Sequence, residues 1–477
     1  LINGSFYALL SLGLAVIFGL LRVINFAHGA QYMLGAFVTY LGLQYLGINF
    51  WLSLLVAPLV VALLGAIVER LMLSRLYDLD PLYGLLFTFG LALVVEGTFR
   101  WLYGAAGQPY SVPPSLAGGT NLGFMFLPNY RGFVVIISLI ACVATWALIE
   151  KTRLGSYLRA ATENPTLVQV FGINVPVLLT LTYALGAGLA GFTGVLAAPI
   201  YQVSPLMGTN LIVVVFAVVV VGGMGSILGA IATGYMLGIA EGLTKVFYPE
   251  ASTAYSVKVW GVTPEIGLVI GMAGAAALGL VIGFLAIRRQ GIYFAMITLA
   301  LSQMFYFFCL QAPFTHGEDG LQGVPRGHLF GLIDLNVPAN IYYTVLAVFV
   351  LALLAIRRFI HSPFGMILKS IRENEQRAIS LGYSVQRYKL AAFVMSAALA
   401  GLAGGLKALV FLFATLTDVT WQMSGEVILM TLLGGIGTMI GPIFGAGLVV
   451  TLQNYLATSD FPVTIITGLV FMACVLA

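Results

Sequence analysis

Apolar runs of about 20 residues follow one another along almost the whole chain, separated by short charged or Gly- and Pro-rich breaks, and this feature decides the solvent in which the chain folds. Such a run spans a bilayer as a helix. Of the 477 residues, 60% are hydrophobic and 8% charged, with a mean hydropathy of +1.04, against roughly 25% charged in a soluble domain. That length accommodates roughly 15 crossings. Hydrocarbon offers the backbone no hydrogen bonds, and the runs are too long and too evenly apolar for the alternating strands of a barrel. The expected fold is an all-α polytopic transmembrane bundle. Glycines in stretches such as Gly186-Ala187-Gly188-Leu189-Ala190-Gly191 are read as allowing close helix approach.

Several function classes fall away at once. The net charge of +4 comes from basic residues placed in the breaks between spans, with no nucleic-acid-like patch, so no nucleic-acid partner is expected. Cys142, Cys309 and Cys474 lie inside apolar runs without a second Cys or His at ligand spacing, and are expected to be buried, inert thiols. His316, His328 and His361 sit in loops without metal-ligand spacing, so no metal is expected. Leu1–Leu21 has no basic flank and runs into further spans, unlike a cleavable leader, and the initial Leu implies residues upstream. No His, Asp or Cys cluster suggests a membrane-embedded enzyme. The chain also lacks Gly-x4-Gly-Lys-Ser/Thr, so it carries no phosphate-cradling loop and does not hydrolyse ATP itself.

The breaks alternate in character. Helices are expected near 51–70, 82–103, 133–150 and 175–197, and again near 265–287, 291–312, 338–356 and 387–413. Arg70 and Arg75, then Lys151, Arg153 and Arg159, then Arg288 and Arg289, then Arg357, Arg358, Lys369, Arg372 and Arg377 mark one side, assigned to the cytoplasm. The segments 104–131 and 311–340 are longer, rich in Gly and Pro and poorer in basic residues, and belong outside.

One charged loop is written twice. Gly155-x3-Arg159-x3-Glu163-Asn164-x7-Gly172 recurs as Gly365-x3-Lys369-x3-Glu373-Asn374-x7-Gly382, 210 positions later. The spacing puts Arg159 with Glu163, and Lys369 with Glu373, on one face of a short amphipathic helix held between two spans. A solvated loop with an ordinary salt bridge explains one copy, but does not need the same spacing twice. Gly222-Gly223-Met224-Gly225 likewise recurs as Gly434-Gly435-Ile436-Gly437, Thr88 matches Thr298, and Gly191-x2-Gly194 matches Gly401-x2-Gly404. Corresponding helices leave on the same side, so the halves form a direct repeat about an axis along the membrane normal.

The halves are unequal. Residues 1–252 form a first half of about eight spans, and 253–477 a second of about seven, as the apolar runs divide them. Thr253-Ala254-Tyr255 corresponds to about Val38-Thr39-Tyr40, so the second half has no counterpart of Ile2 through Ala36. The first half stops after Tyr248-Pro249-Glu250, where another helix is expected. The Glu250–Thr253 region is read as a seam.

Few ionisable groups fall within spans. Glu96 and Glu241 lie towards expected helix ends and are placed at the interface, since burying a carboxylate in a bilayer is costly. Glu426, after Trp421-Gln422-Met423-Ser424-Gly425, is a candidate for the solute path. Asn25 and His28 are one helical turn apart and would brace a break between the first two helices, with a place on the path left open.

The order Ile24-Asn25-Phe26-Ala27-His28-Gly29, Glu69-Arg70, the Glu163-Asn164 loop and the Gly222–Gly229 segment resembles the first membrane permease of bacterial branched-chain amino acid ABC importers. Arg288-Arg289-Gln290-Gly291-Ile292-Tyr293-Phe294-Ala295-Met296 and Arg372-Glu373-Asn374-Glu375 resemble its partner permease, so the two matches cover essentially the whole chain. The resemblance implies that each charged loop is a coupling helix docking on one of two cytosolic ATP-binding subunits. Gly155, Arg159, Glu163, Asn164 and Gly172 would serve one subunit, and Gly365, Lys369, Glu373, Asn374 and Gly382 the other. It further implies ATP-Mg on those partners and none on this chain. A periplasmic or extracellular solute-binding protein would deliver leucine, isoleucine, valine or a related solute, docking on 104–131 and 311–340 at the bacterial cytoplasmic (inner) membrane. The alternatives are the same architecture importing urea, short amides or another small polar solute, and an ion-coupled secondary carrier.

Overall fold

The structure is a computed structural model that describes residues 2–21, 23–77, 79, 81–121, 126–223, 225–247, 264–288, 291–311, 320–324, 326–331, 333–435, 438–457 and 462–476. The seam at 250–253 and His316 lie outside these, as does the side chain of Glu241. Before residue 248 the helices are α1 (Ile2–Leu21), α2 (Ala27–Leu46), α3 (Phe50–Leu71), α4 (Pro81–Tyr103), α5 (Asn129–Lys151), α6 (Arg153–Glu163), α7 (Pro165–Val170), α8 (Val175–Tyr201), α9 (Met207–Gly222) and α10 (Ile227–Phe247). After residue 263 come α11 (Pro264–Ala286), α12 (Ile292–Gln311), α13 (Pro338–Ile360), α14 (Pro363–Glu373), α15 (Glu375–Ser380), α16 (Val385–Phe411), α17 (Trp421–Gly434), α18 (Gly441–Ala457) and α19 (Val463–Leu476). Among the described residues nine helices, α1, α3, α4, α5, α8, α11, α12, α13 and α16, are long and apolar enough to cross a membrane. The eight spans expected from sequence match α3, α4, α5, α8, α11, α12, α13 and α16 to within four residues at each end. The chain is an all-α, multi-pass membrane protein built from two repeats.

Helices are not the whole account. The long breaks hold short two-stranded pieces: β1 (Gly119–Asn121) with β2 (Phe126–Pro128), β3 (Leu321–Gln322) with β6 (Phe413–Ala414), and β4 (His328–Leu329) with β5 (Ile333–Asp334). These extended segments lie outside the long apolar helices.

Residues 1–248 with 427–477 form one compact unit, and 249–426 another. In the first, α1 is the centre. Phe6, Leu9, Leu10, Leu12, Leu14 and Ile17 are fully buried, and α1 packs against α5, α8, α9 and α10. With α2 it encloses α8, fifteen of whose residues are buried, from Val175 to Ala198. In the second unit α11 packs along α16 as α3 packs along α8, yet of α16 only Val385 is buried.

The compact units do not coincide with the sequence halves, because α19 packs on α4. The contact is a glycine-to-glycine approach. A Cβ on Gly468 would fall 2.6 Å from the Gly90 carbonyl oxygen, and one on Gly97 would fall 2.8 Å from Ile465 Cγ1. Phe471 is buried there, edge-on to Phe89 with ring centroids 5.1 Å apart. Between apolar helices in lipid no hydrophobic force drives pairing, so small residues that bring backbones together supply the attraction. At the positions of α12 that lie 210 after Gly90 and Gly97, the chain has Ala300 and Phe307, which would hold a partner helix away.

Candidate functional site

The repeated loop folds the same way twice. In the first copy α6 runs Arg153–Glu163 and ends on Asn164, whose side chain accepts a hydrogen bond from the Leu167 N–H at 2.9 Å and so starts α7. In the second, Asn374 accepts from the Arg377 N–H at 3.0 Å and joins α14 to α15. One asparagine thus ends one helix and caps the next. After α7 and α15 the backbone turns at Gly172 and Gly382, with φ of 81° and 87°, where an L side chain is strained. Gly155 and Gly365 are fixed for another reason. A Cβ on Gly155 would fall 1.6 Å from the Ile149 carbonyl oxygen, and one on Gly365 2.3 Å from that of Ile360, so each short helix lies directly on the end of the preceding long one.

A small apolar core holds each element rigid. Leu158, Ala161, Val168, Val175 and Leu178 cluster in the first copy. In the second, 210 positions on, Ile371, Ala378 and Val385 are buried, with Leu368 and Tyr388 packed on them. Ala161 and Val168 become Ile371 and Ala378, so volume lost at one place is regained at the other.

The polar face differs from expectation. Arg159 pairs with Glu150 at 3.2 Å, and its guanidinium also reaches the Ile149 carbonyl at 3.4 Å, so it ties α6 to the end of α5 and not to Glu163. The same-face spacing is present, but Glu150 lies closer to the arginine head. The Lys369–Glu373 pair is likewise not formed, and among the described residues neither Glu163 nor Glu373 makes an ion pair. Both are exposed, as are Asn164, Lys369 and Asn374. In the second copy Lys389 instead holds Glu375 at 2.7 Å, tying α15 to α16.

Sequence reasoning missed the apolar tip. Phe171 is 75% exposed and Val170 78%, and Leu381, in the place of Phe171, is 67% exposed. The signal was available as a large apolar residue immediately before Gly172 and Gly382 in both copies. An apolar side chain presented on a rigid turn among charged neighbours is the pattern of a protein-binding surface.

At the far ends of α8 and α16 the long breaks are pinned in a repeated way. Gln202 and Leu412, 210 apart, both have positive φ, 56° and 65°. Gln108 exchanges backbone hydrogen bonds with Val203, at 2.8 and 2.9 Å. In the other unit β3 pairs with β6, and Arg326 donates to the Leu409 and Val410 carbonyls at 3.0 and 2.7 Å. Lys407 meets Asp418 at 2.5 Å, and the Thr415 N–H donates to the same carboxylate. Partial burial alone would raise the Asp418 carboxyl, but the bonds from Lys407 and Thr415 outweigh it and hold the group below the ordinary carboxylate range.

The polar residues singled out in spans lie elsewhere. Asn25 and His28 are wholly buried, 0% exposed. His28 Nε2 meets the Leu10 carbonyl at 3.0 Å, Asn25 donates to Gln31 at 3.3 Å, and Gln31 donates to Tyr183 at 3.1 Å, joining α1, α2 and α8. Thr88 accepts from the Phe26 N–H at 3.1 Å, whereas Thr298 bonds its own helix at Ala295. Glu426 is half-buried in α17. Glu96, expected at the interface, lies seven residues before the end of α4, about 10 Å along its axis, and takes a 2.5 Å bond from Thr209. That hydroxyl, on α9, gives the half-buried carboxylate a hydrogen-bond donor. Cys142 and Cys309 are buried, but Cys474 is exposed on α19.

The family model for the branched-chain amino acid transport system permease component matches twice, over residues 1–262 and 250–477. The chain belongs to the branched-chain amino acid transport permeases. It is similar to the high-affinity permease LivH of Escherichia coli K12, 29% identical over 51% of this chain and 83% of that protein. It is also similar to the probable LivH of Methanocaldococcus jannaschii, 32% identical over 53% of this chain and 81% of that protein. LivM of Escherichia coli K12 is 29% identical over 46% of this chain and 56% of its own length. The permease is therefore a fused pair of LivH-like and LivM-like components. No solved structure matches it. Like its relatives it is a transport permease and not an enzyme.

Proposed function

We propose that this permease forms the translocation path of an ATP-driven importer of branched-chain amino acids in a bacterial cytoplasmic membrane. Two ATP-binding subunits dock on it from the cytosol, one at α6–α7 and one at α14–α15. The observation that carries this reading is the matched pair of preorganised elements, each a capped, glycine-set helix pair with its own core and an exposed apolar tip, Phe171 or Leu381. ATP and Mg2+ belong to the partner subunits. An external solute-binding protein docks on the breaks 104–131 and 311–340, and 1–252 and 253–477 act as the two permease halves.

The test is capture of the co-purifying ATP-binding subunits by the detergent-solubilised chain, with ATP-dependent uptake of leucine, isoleucine, valine and urea into vesicles. Glu163→Ala with Phe171→Ser, and Glu373→Ala with Leu381→Ser, should each reduce capture and leucine uptake. If neither pair weakens capture, the docking role is lost; uptake of urea in place of leucine would overturn the substrate.

A further inference from the structure

Glu69 is a carboxylate 1% exposed near the end of α3, with both oxygens occupied. The Tyr77 hydroxyl donates to Oε1 at 2.7 Å, and the Thr180 hydroxyl donates to Oε2 at 2.6 Å. Thr180 stands in the second turn of α8, the helix that begins just after Gly172 and the first docking element. Tyr77 follows the short 3-10 turn Leu73–Leu76 on the way to α4. One buried side chain therefore fastens the helix behind the docking element to α3 and to the approach of α4.

The second repeat shows what this position looks like without the latch. The α3–α8 crossing is set by Gly65, where a Cβ would meet Ala187 Cβ at 2.7 Å. The α11–α16 crossing is set by Gly279, where a Cβ would meet Ala397 Cβ at 2.4 Å. Gly279 lies 214 positions after Gly65, and Ala397 lies 210 after Ala187, which fixes the correspondence of the two crossings. In the same register, four residues after the glycine on one helix and seven before the alanine on the other, Glu69 becomes Gly283 and Thr180 becomes Leu390. Those two also touch, since a Cβ on Gly283 would fall 2.8 Å from Leu390 Cδ1. A polar bond in one half is thus an apolar contact in the other, at the same place. An apolar contact lets two helices slide, because any neighbouring apolar surface serves as well. A buried carboxylate does not, because sliding strips it of its donors.

We infer that Glu69 is a positioning residue that transmits displacement of the first docking element from α8 into α3 and the approach of α4, so that the two repeats convey ATP-driven movement unequally. This rests on the docking reading above. Glu69 is buried and lies off the exposed docking face, so its loss should uncouple transport without releasing the ATP-binding subunit.

The experiment measures three quantities on the full chain in vesicles: capture of the co-purifying ATP-binding subunits, ATP hydrolysis, and radiolabelled leucine taken up per ATP. Thr180→Val keeps shape and removes the α8 bond. It should leave capture unchanged and lower leucine per ATP by about ten-fold, the scale of one lost hydrogen bond to a charged group. Tyr77→Phe should lower it in the same direction. Glu69→Gln, which can accept from one hydroxyl and donate to the other, keeps both bonds in weaker, neutral form and should lower leucine per ATP by less than Thr180→Val does. Leu390→Val in the second repeat should change nothing. Unchanged leucine per ATP in Thr180→Val with capture intact overturns the inference alone. A parent chain that captures no ATP-binding subunit overturns the docking reading and the inference with it.

Discussion

Replacing Gly468 by Ala tests whether the last helix serves the first half of the chain. The new Cβ would lie 2.6 Å from the Gly90 carbonyl oxygen, 2.8 Å from Val94 Cγ2 and 2.9 Å from the Val94 nitrogen. Two of these are backbone atoms that cannot rotate away, so α19 and α4 must separate by several tenths of an ångström. Overpacking of this kind costs about 3 kcal/mol, the upper part of its usual range. Alanine's better helix propensity returns about 1 kcal/mol. The net loss of about 2 kcal/mol weakens docking of α19 on α4 about thirty-fold. Gly447→Ala in α18 is the control, because its Cβ meets nothing within 4 Å and it reports the propensity effect alone. Docking can be followed by the cross-link that a photoactivatable residue at Thr464, whose Cβ lies within 3.3 Å of where a Cβ on Gly97 would be, makes to α4, which leaves the glycines themselves unchanged. In an SDS titration the detergent concentration that halves the cross-link should fall for Gly468→Ala and not for Gly447→Ala. An unchanged midpoint for Gly468→Ala would refute the glycine-mediated contact.

Two further outcomes follow from the docking elements and the outer breaks. Ala161→Ile alone should overpack the first core and Val168→Ala alone should hollow it, each costing about 2 kcal/mol, while the double change, which copies Ile371 and Ala378, should recover at least about 1 kcal/mol; protease sensitivity of α6–α7 reports this, and strict additivity would contradict it. Asp418, whose carboxyl is held below the ordinary range, contributes stability above the unfolded carboxylate pKa and loses it as pH falls through the folded value. The hydrogen-exchange protection factor at 412–420, the rate corrected for the intrinsic pH dependence of amide exchange, should therefore fall at acid pH in the parent and be independent of pH over that range in Asp418→Asn; identical profiles would exclude the role.

Much of this architecture was legible in the sequence, because a bilayer converts apolar run length directly into helices, as α3 and α11 show. The repeat was legible too, since Gly155, Asn164, Gly172 and their counterparts are set by local backbone geometry that depends on residue type. What was not legible depended on tertiary distance. Arg159 has Glu163 one turn away in sequence, but the fold of α6 onto α5 brings Glu150 nearer. Whether Cys474 is buried depends on which side of α19 faces α4, which hydropathy does not encode. The division of the chain after its helices pack was hidden for the same reason: glycines like those that bring α19 to α4 recur in most of the spans, and only their meeting distinguishes them.

The most direct test of the central claim is the number of ATP-binding subunits carried per chain, measured by native mass spectrometry of the assembled complex. Two subunits are expected on the parent and one on either Glu163→Ala with Phe171→Ser or Glu373→Ala with Leu381→Ser, with none when all four changes are combined. Two subunits retained on the fourfold variant would contradict it.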